Sequence, residues 1–503
     1  MLNFSRSTLT DFYYQIPSSP VIIGLILAVV GSLSGVIMAF GGPLVGLGLI
    51  VAIVSGLIVL SNMEVGIWGV IAVVTLLPFA TLPFKIVITP TFLDLALGGV
   101  FAVWVLRLVT GRQRRIVAGP VAFPLIIFIL IMLFAVVFGM PNGPLTSQLL
   151  RKFAELLLSL VFVILLIDFC RTWADLQRLT FVVMLAGTAA AIIGIVVWAM
   201  PDDLANEFLN MLTIIGYPGG FVIRYVEDNP EALERAIGTS VDPNVYGGLL
   251  VLMGTLVAPQ LVAEKPLFWN RRWVSWVAFL CIFVALLLTN SRGAFIGLVA
   301  SVGFLAFVRY RQLLPWGTAA LGVILLFILP TTQEAITTIV RVTAGQNTAD
   351  IATAYTERLT DAFEGEDLAT QMRIGEYRDG VRLIQRYPLF GVGFAGSPDI
   401  DLYLGVASVY LTIAQQMGLL GLFSFFVLVG SVFFQAWKKR QIFLANPERD
   451  PVWLGLHGAV FGGLVVGLFD HYLFNLVFLH AVTIFWMILG LAVASTRLAE
   501  AEE

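Results

Sequence analysis

The chain has 503 residues, of which 59% are hydrophobic and 12% are charged, and its formal net charge is −3. Soluble domains carry about 25% charged residues, and a soluble surface cannot hide this much apolar side chain. The composition therefore excludes a water-soluble protein, and the charge balance gives no indication of nucleic-acid binding. Cys170 and Cys281 lie in or beside apolar runs, so we expect no disulfide framework, metal cluster or cofactor.

Apolar runs long enough to cross the hydrocarbon core recur along the chain after a polar, aromatic N-terminus that suits the membrane interface. The runs are apolar on all sides, which predicts helices and argues against a barrel of alternating strands. The sequence therefore predicts an all-α polytopic membrane protein with about fourteen transmembrane helices. They are predicted near residues 20–40, 42–60, 65–82, 91–109, 119–139, 152–169, 178–200, 241–263, 273–289, 293–310, 313–331, 405–436, 452–469 and 472–495.

Lysine and arginine in the short loops predict the orientation, because cytoplasmic loops carry an excess of these residues. With a cytoplasmic N-terminus the loops alternate between a basic inner set and a sparse outer set, and the C-terminus is also cytoplasmic. The outer set holds Lys85, the Arg151–Lys152 pair and Arg292. The inner set holds Arg107, Arg112, Arg114, Arg115, Arg171, Arg178, Lys265, Arg271, Arg272, Arg309, Arg311, Lys438, Lys439, Arg440 and Arg449.

Two long loops on the predicted outer side divide the chain. Long translocated loops are exempt from the charge rule, so their arginines do not contradict the orientation. The predicted segments are a cytoplasmic interfacial N-terminus (1–19), N-terminal helices (20–200), a first long outer loop (201–240), further helices (241–331), a large and partly helical outer loop (332–404), and C-terminal helices with a cytoplasmic tail (405–503).

Arg151 and Glu155 begin one predicted span from the outer side. A carboxylate one turn inside a membrane helix is costly unless it is paired or faces a cavity. Pairing with Arg151, four residues earlier, is one explanation. A role in a functional site is the other.

Ser240-Val241-Asp242-Pro243-Asn244 opens the span that follows the first long outer loop. Ser240 or Asp242 can cap the helix, and Pro243 fits its first turn. Capping alone explains this run, which leaves Asn244 as a polar group that could face inward.

Asn290-Ser291-Arg292-Gly293 joins two predicted spans with almost no loop, so we expect Arg292 at the outer membrane boundary. A guanidinium there suits a phosphate or diphosphate, because its planar fork matches the oxygens. An arginine that reaches lipid headgroups explains the position equally well. Position alone leaves both interpretations open.

Within the large outer loop, Gln371 to Arg386 reads as a helix that Pro388 ends. Arg378, Arg382 and Arg386 recur every four residues and line one face. Such a stripe is either a solvated surface or a cradle for a lipid-linked diphosphate. Tyr387 to Gly393 follows, and its glycines suit a tight turn with close backbone approach.

The three histidines differ in their predicted surroundings. His457 and His480 lie within predicted spans, where hydrogen bonding between helices explains them. His471 follows Asp470 in the outer turn between the last two spans. That position makes His471 the best candidate for a general base, with a simple helix cap as the alternative.

Three blocks in the second half of the chain carry a resemblance to a known family. They are Thr289 to Ala294, Arg373 to Gly393 with RYPLFGVG at its end, and Tyr410-Leu411 followed by Gln416 to Gly421; Asp242-Pro243-Asn244 is a weaker fourth. Over roughly residues 240–430 the chain resembles the O-antigen ligase and O-antigen polymerase superfamily of bacterial membrane glycosyltransferases. The first half matches only as generic membrane helices.

The resemblance implies a GT-C-like fold and a reaction at the outer face of the bacterial plasma membrane. A polyprenyl-diphosphate-linked glycan is the expected donor and a glycan or lipid the acceptor, with inversion and without metal. Membrane lipids and other polysaccharide export or assembly proteins are expected partners, and nucleic acid is not. Arg292 matches the arginine of its block. The remaining diphosphate candidates are Arg373, Arg378, Arg382 and Arg151, and the supporting candidates are Ser291, Asp242, Asn244 and Glu155.

One departure from the family pattern concerns the base. The family often has His-Asn or His-Ser before the Tyr-Leu of the span after the loop, whereas this chain has Ala407-Ser408. We expect His471, with Asp470, to take that role.

A transporter or flippase of polysaccharides or lipid-linked oligosaccharides is the main alternative. A transporter should carry charges near the bilayer midplane, whereas here they concentrate at the outer boundary and in the outer loop. A peptidoglycan-type polymerase of the shape, elongation and division group is a third possibility. The Ser291-Arg292-Gly293 block favours an O-antigen ligase or polymerase over it.

Overall fold

A computed structural model of the chain describes residues 59–82, 89–113, 115–226, 233–319, 368–402 and 405–500, with single positions at 28, 31, 32, 35, 56, 230 and 322. Most of the predicted spans 20–40, 42–60 and 313–331, together with the N-terminus 1–19 and the loop residues 332–367, lies outside the described residues.

Helices dominate the described part of the chain. We number them α1 (Met63–Leu76), α2 (Phe92–Val109), α3 (Ala122–Gly139), α4 (Ser147–Phe169), α5 (Trp173–Trp198), α6 (Asp202–Met211), α7 (Pro243–Val257), α8 (Arg272–Thr289), α9 (Arg292–Val308), α10 (Leu368–Arg386), α11 (Val409–Leu444), α12 (Asp450–Val466) and α13 (Leu479–Glu500). Short 3₁₀ turns occupy Met140–Asn142, Leu212–Ile215, Ala258–Leu261 and Arg311–Leu313. A small antiparallel ladder pairs β1 (Arg224–Tyr225) with β2 (Glu234–Arg235).

By length and composition, seven of the described helices could cross a membrane, and α1, α9 and α12 are shorter apolar helices. Helix α4 is long enough but is not among the seven, because four charges interrupt it: Arg151, Lys152, Glu155 and Asp168. Every predicted span that lies wholly within the described ranges overlaps a helix. The prediction of about fourteen spans is therefore reproduced only in part, and the last helix begins at Leu479 rather than at 472.

The contacts between loops sort the helix ends into two groups. At one end, which we call the Arg292 end, Thr81 N donates to the Ile215 carbonyl at 2.6 Å and Asn142 Nδ2 to the Val392 carbonyl at 2.8 Å. At the other, the Arg107 end, Arg309 Nε lies 3.1 Å from Asp450 Oδ2, and two further pairs join Lys265 to Glu448 and Arg497 to the Cys170 carbonyl. The grouping agrees with the alternation of outer and inner loops that the sequence predicts.

Helices α9 and α12 cross closely because small residues line their interface. They run antiparallel, and a Cβ atom on Gly462 would lie 3.0 Å from the Cβ of Ser301. One turn away on either side, Gly458 faces Leu305 and Gly297 faces Val466. Helix α7 packs on the same pair, and Thr255 of α7 hydrogen-bonds Ser301 at 2.7 Å. Small residues at such crossings let helix backbones approach in lipid, where hydrophobic attraction between helices is absent.

Helix α11 is broken at Gly418, whose φ is 69° and ψ is −175°. Residues 387–393 fill the break. Val392 N and Gly393 N donate to the carbonyls of Gln415 and Gln416 at 2.8 and 3.0 Å, and Leu419 N donates to the Pro388 carbonyl at 2.7 Å. The close backbone approach that the glycines predicted is thereby confirmed: Gly391 and Gly393 have positive φ, and backbone atoms surround both of them.

Replacing Gly462 by valine tests the α9–α12 crossing. The added atoms must displace Ser301 and Val251, so we expect a loss of about 1–3 kcal/mol in unfolding free energy, seen as a lower thermal midpoint in detergent. The matched control is Gly303→Val, also mid-helix, where a Cβ meets nothing within 4 Å. Equal midpoints for the two variants would show that the crossing does not depend on close packing.

Candidate functional site

The turn between α8 and α9 places Ser291 and Arg292 at one end of the bundle. Asn290 ends α8 in the left-handed conformation (φ 51°, ψ 36°), and Ser291 N donates to Thr289 Oγ1 at 3.2 Å. The side chain of Ser291 is buried and makes no capping hydrogen bond to α9. Arg292 begins α9 and its side chain is exposed. The local geometry therefore turns the arginine out of the bundle at the helix end.

Arg235, at the end of the first long loop, supports this turn and was not singled out from the sequence. Its Nε donates to the Thr289 carbonyl and its Nη2 to Asn244 Oδ1, both at 2.8 Å. Asn244 begins α7, and Asp242 caps that helix by accepting from the backbone N–H groups of Asn244 and Val245 at 2.8 and 3.0 Å. The predicted cap at Asp242 is thus confirmed. The role of Arg235 could not be predicted from the sequence, because one of its partners is a backbone carbonyl 54 residues away.

Asp470 and His471 lie in the turn after α12. His471 Nδ1 lies 3.2 Å from Asp470 Oδ1, an ion-pair contact without the alignment of a good hydrogen bond, and this nitrogen is buried. The side chain of His471 is 32% exposed, so the exposed part of the ring is on the side away from Asp470. Burial works to lower the pKa of His471, but contact with Asp470 and the charges of Glu376 and Asp242 raise it overall.

Helix α10 contacts the segment in which the family histidine is missing. Glu376 Oε2 accepts from Ala407 N at 3.2 Å, and the Tyr377 hydroxyl donates to the Ala407 carbonyl at 3.1 Å. Arg373 lies one turn earlier on the same face and is close enough to Tyr377 for its charge to act there. The buried Gly380 continues this face against Gln415 and Val406.

These segments meet at the Arg292 end. A Cβ atom on Gly293 would lie 3.0 Å from the Cβ of Phe469, so the two turns touch. Val409 N donates to the carbonyls of Gly467 and Asp470 at 2.8 and 3.1 Å, so the 407–409 segment borders the Asp470–His471 turn. The arrangement gathers cationic side chains, an aspartate–histidine pair and a partly open histidine ring around one region.

The arginine stripe of α10 (Arg378, Arg382 and Arg386) is not on the helix face that contacts Ala407. At 100° per residue, Arg378 and Arg382 lie about 140° and 180° around the helix from Arg373, and about 100° and 140° from Tyr377. Both are exposed. Arg382 is 3.5 Å from Asp379, and Arg386 is 2.9 Å from Asp399. Of the three loop candidates, the structure brings only Arg373 to the Ala407 side.

Arg151 and Glu155 are at the Arg292 end but are engaged with each other. Arg151 Nη1 lies 3.0 Å from Glu155 Oε2 and 2.7 Å from Asp94 Oδ2. Glu155 is 3% exposed, and Asp94 is also part of the capping box of α2 with Thr91. The pairing at i, i+4 that the sequence allowed is therefore present. In the described ranges no group of three or more His, Cys, Asp or Glu side chains forms a metal-binding arrangement.

Residues 277–426 match the family model described as O-antigen ligase. The matched segment contains the Ser291-Arg292-Gly293 turn, helix α10 and the start of α11, and it ends before Asp470 and His471. No match to a curated protein was found. The resemblance that the sequence blocks predicted is confirmed over this part of the chain.

A disulfide tests whether the two turns meet. In a chain with Cys170 and Cys281 replaced by serine, we expect Gly293→Cys with Phe469→Cys to cross-link on mild oxidation, because their Cβ atoms are near bridging distance. Loss of two maleimide-reactive thiols, read by mass spectrometry, measures it.

The control pair is Gly303→Cys with Phe469→Cys. Residue 303 is ten residues further along α9, about 15 Å away, so its thiol should stay reactive. Free thiols in the 293–469 pair under the same oxidation would contradict the contact.

Proposed function

We propose, from the match of residues 277–426 to the O-antigen ligase family model, that the chain transfers glycans from a polyprenyl-diphosphate-linked donor. The acceptor is a second lipid-linked glycan in a polymerase or a different lipid anchor in a ligase. The reaction is inverting and occurs at the outer face of the bacterial plasma membrane. Donor, acceptor and membrane lipids are the partners.

The observation that carries the proposal is the convergence of four short segments at the Arg292 end. They are the Ser291–Arg292 turn, the Arg373–Tyr377 face of α10, the Ala407–Val409 segment and the Asp470–His471 turn. Three of these belong to the matched family segment, and the fourth supplies the histidine that the segment itself lacks.

Arg292 and Arg373 are proposed to bind the diphosphate of the donor. Guanidinium groups form charge-assisted, bidentate hydrogen bonds with phosphate oxygens. These hydrogen bonds stabilise the transition state more than the bound donor, because the leaving group gains negative charge as the bond from the anomeric carbon to the diphosphate oxygen breaks. Arg235 orients the turn that carries Arg292 through its hydrogen bond to the Thr289 carbonyl.

His471 is proposed as the general base. Asp470 faces Nδ1, which favours the tautomer with its proton on Nδ1 and a lone pair on Nε2. Nε2 takes the proton of the acceptor hydroxyl while that oxygen bonds to the anomeric carbon on the face opposite the diphosphate. Asp470 then stabilises the imidazolium. Because Val409 N binds the Asp470 carbonyl, His471 is available beside the position that Ala407 leaves without a base.

The distribution of buried acids favours an interfacial enzyme over a transporter. In the described ranges the buried acidic side chains are Glu155, Asp168 and Asp450. Each lies within about two turns of a helix end, whereas transporters place coupling and substrate sites near the bilayer midplane.

A transfer assay tests the function. Wild type, Arg292→Ala, Arg373→Ala and Arg378→Ala are incubated with polyprenyl-diphosphate oligosaccharides from the host. We expect wild type to release polyprenyl diphosphate and lengthen or transfer glycans, with and without a chelator. Arg292→Ala and Arg373→Ala should each be slower by about a hundredfold or more, as for loss of an oxyanion donor.

Arg378→Ala is the matched control, because it removes the same charge from a different, exposed face of α10 and should keep near wild-type rates. A ladder of products indicates a polymerase and a single transfer a ligase. Folded wild-type protein that releases no diphosphate with any host donor would contradict the proposal and favour a transporter.

The pH dependence tests the base. A base must be neutral to accept a proton, so the rate should rise as pH increases through the pKa of His471, which lies above its ordinary value. Asp470→Asn removes the contact that raises this pKa. We therefore expect the rising limb to move to lower pH, with a plateau reduced by about tenfold or more.

Asp203→Asn is the control: this residue is exposed in α6, and its loss should leave the profile unchanged. His471→Ala should abolish the limb and nearly all activity. Full activity in His471→Ala would exclude the histidine as the base.

A further inference from the structure

A pocket lined by arginines lies at the Arg107 end, on the other side of the bundle from the proposed site. Its volume is about 640 Å³. Arg107 comes from the last turn of α2, and Arg171 follows the end of α4. Arg112, Gln113 and Arg115 come from the loop after α2. Two separate loops therefore contribute positive charge to one cavity.

One buried carboxylate organises the pocket wall. The Asp168 side chain is 1% exposed and accepts hydrogen bonds from Trp104 Nε1 and Val117 N, both at 2.8 Å. It also accepts from the side chains of Gln113 and Arg171. Asp168 thus ties both loops to α4, which preorganises the wall.

Four guanidinium groups line the cavity, and one carboxylate, Asp168, pairs with one of them, Arg171, so an anion bound in the cavity would further reduce the repulsion among the arginines. Arg112 is near enough to Arg107 for their charges to interact. Cations at the carboxyl ends of helices are favourable in themselves, which accounts for Arg107 and Arg171. Arg112 and Arg115 lie in the loop after α2, where an excess of basic residues is expected of an inner loop, and the fold brings both to the same cavity.

The surroundings of the pocket favour a lipid. Leu106 is 49% exposed, Val109 79% and Ile116 47%, and these apolar side chains alternate in sequence with the arginines. A soluble anion would leave these apolar side chains exposed, whereas the acyl chains of a lipid would cover them. The pocket also lies beside the ends of α2 and α4, and basic pockets between transmembrane helices bind anionic headgroups.

We propose that this pocket binds the phosphate headgroup of an anionic phospholipid. The arginines bind the phosphate oxygens, and the exposed apolar side chains beside them contact the acyl chains. The inference does not depend on the proposed glycan transfer, because it concerns the opposite end of the bundle.

The test compares lipid binding by two matched double variants. Arg112→Gln with Arg115→Gln removes two pocket charges, and Arg271→Gln with Arg311→Gln removes two exposed charges at the same end but outside the lining. Each protein in detergent is titrated with phosphatidylglycerol or phosphatidylcholine, and bound lipid is counted by native mass spectrometry. We expect the pocket variant to bind phosphatidylglycerol at least about tenfold more weakly, while wild type and control bind it equally.

Thermal unfolding of each protein, measured in parallel, establishes that the variants are folded. Equal phosphatidylglycerol binding by wild type and the pocket variant would overturn the proposal, and so would an equal loss in both variants, which would indicate diffuse attraction. A titration with inorganic phosphate separates the sources: if phosphate alone saturates the pocket and phosphatidylglycerol does not compete, the site binds a soluble anion and the lipid proposal is wrong.

Discussion

The close antiparallel crossing of α9 and α12 is the constraint on which the rest of the architecture depends. Its contacts recur about once per turn: Leu305 with Gly458, Ser301 with Gly462, Gly297 with Val466 and, just beyond the end of α12, Gly293 with Phe469. At each level a glycine or serine faces its partner, so the backbones approach without a void. Continued by one more residue on each side, this register brings Arg292 level with the Asp470–His471 turn. Helix packing in the membrane therefore sets the position of the proposed chemistry.

A second constraint is that backbone groups at membrane depth must find partners within the protein. The break in α11 at Gly418 would leave several groups without intrahelical partners, and residues 388–393 supply them through backbone hydrogen bonds. Because the same segment directly follows α10, the repair also fixes how α10 approaches α11. That approach brings Glu376 and Tyr377 to the two backbone groups of Ala407.

The helices, their caps and their ends could be predicted from local features of the sequence. The contacts between segments far apart in the chain could not. The spans within the described ranges, the cap at Asp242 and the end of α10 before Pro388 follow from periodicity, capping and proline chemistry. The contact between Asp470 and His471 could also be predicted, because the two residues are neighbours in one turn. It could not show that Arg235 binds the Thr289 carbonyl, nor which face of α10 points inward, since both depend on the packing of segments far apart in the chain. The arginine stripe is a regular pattern, yet the single Arg373 lies on the packed face.

Polar contacts between helices α2 and α4 connect the two ends of the bundle. Glu155 and Asp168 are thirteen residues apart on α4, about 20 Å along the axis, which is less than the roughly 30 Å of the hydrocarbon core. At least one of the two carboxylates would therefore lie within the hydrocarbon core and face lipid if protein did not cover it. Helix α2 covers each one: Asp94 shares Arg151 with Glu155, and Trp104 donates to Asp168. An arginine within about one turn completes each pair. Sliding α4 against α2 would break both polar clusters at once, so these pairs fix the register of the two helices and, with it, the separation between the Arg292 end and the arginine pocket.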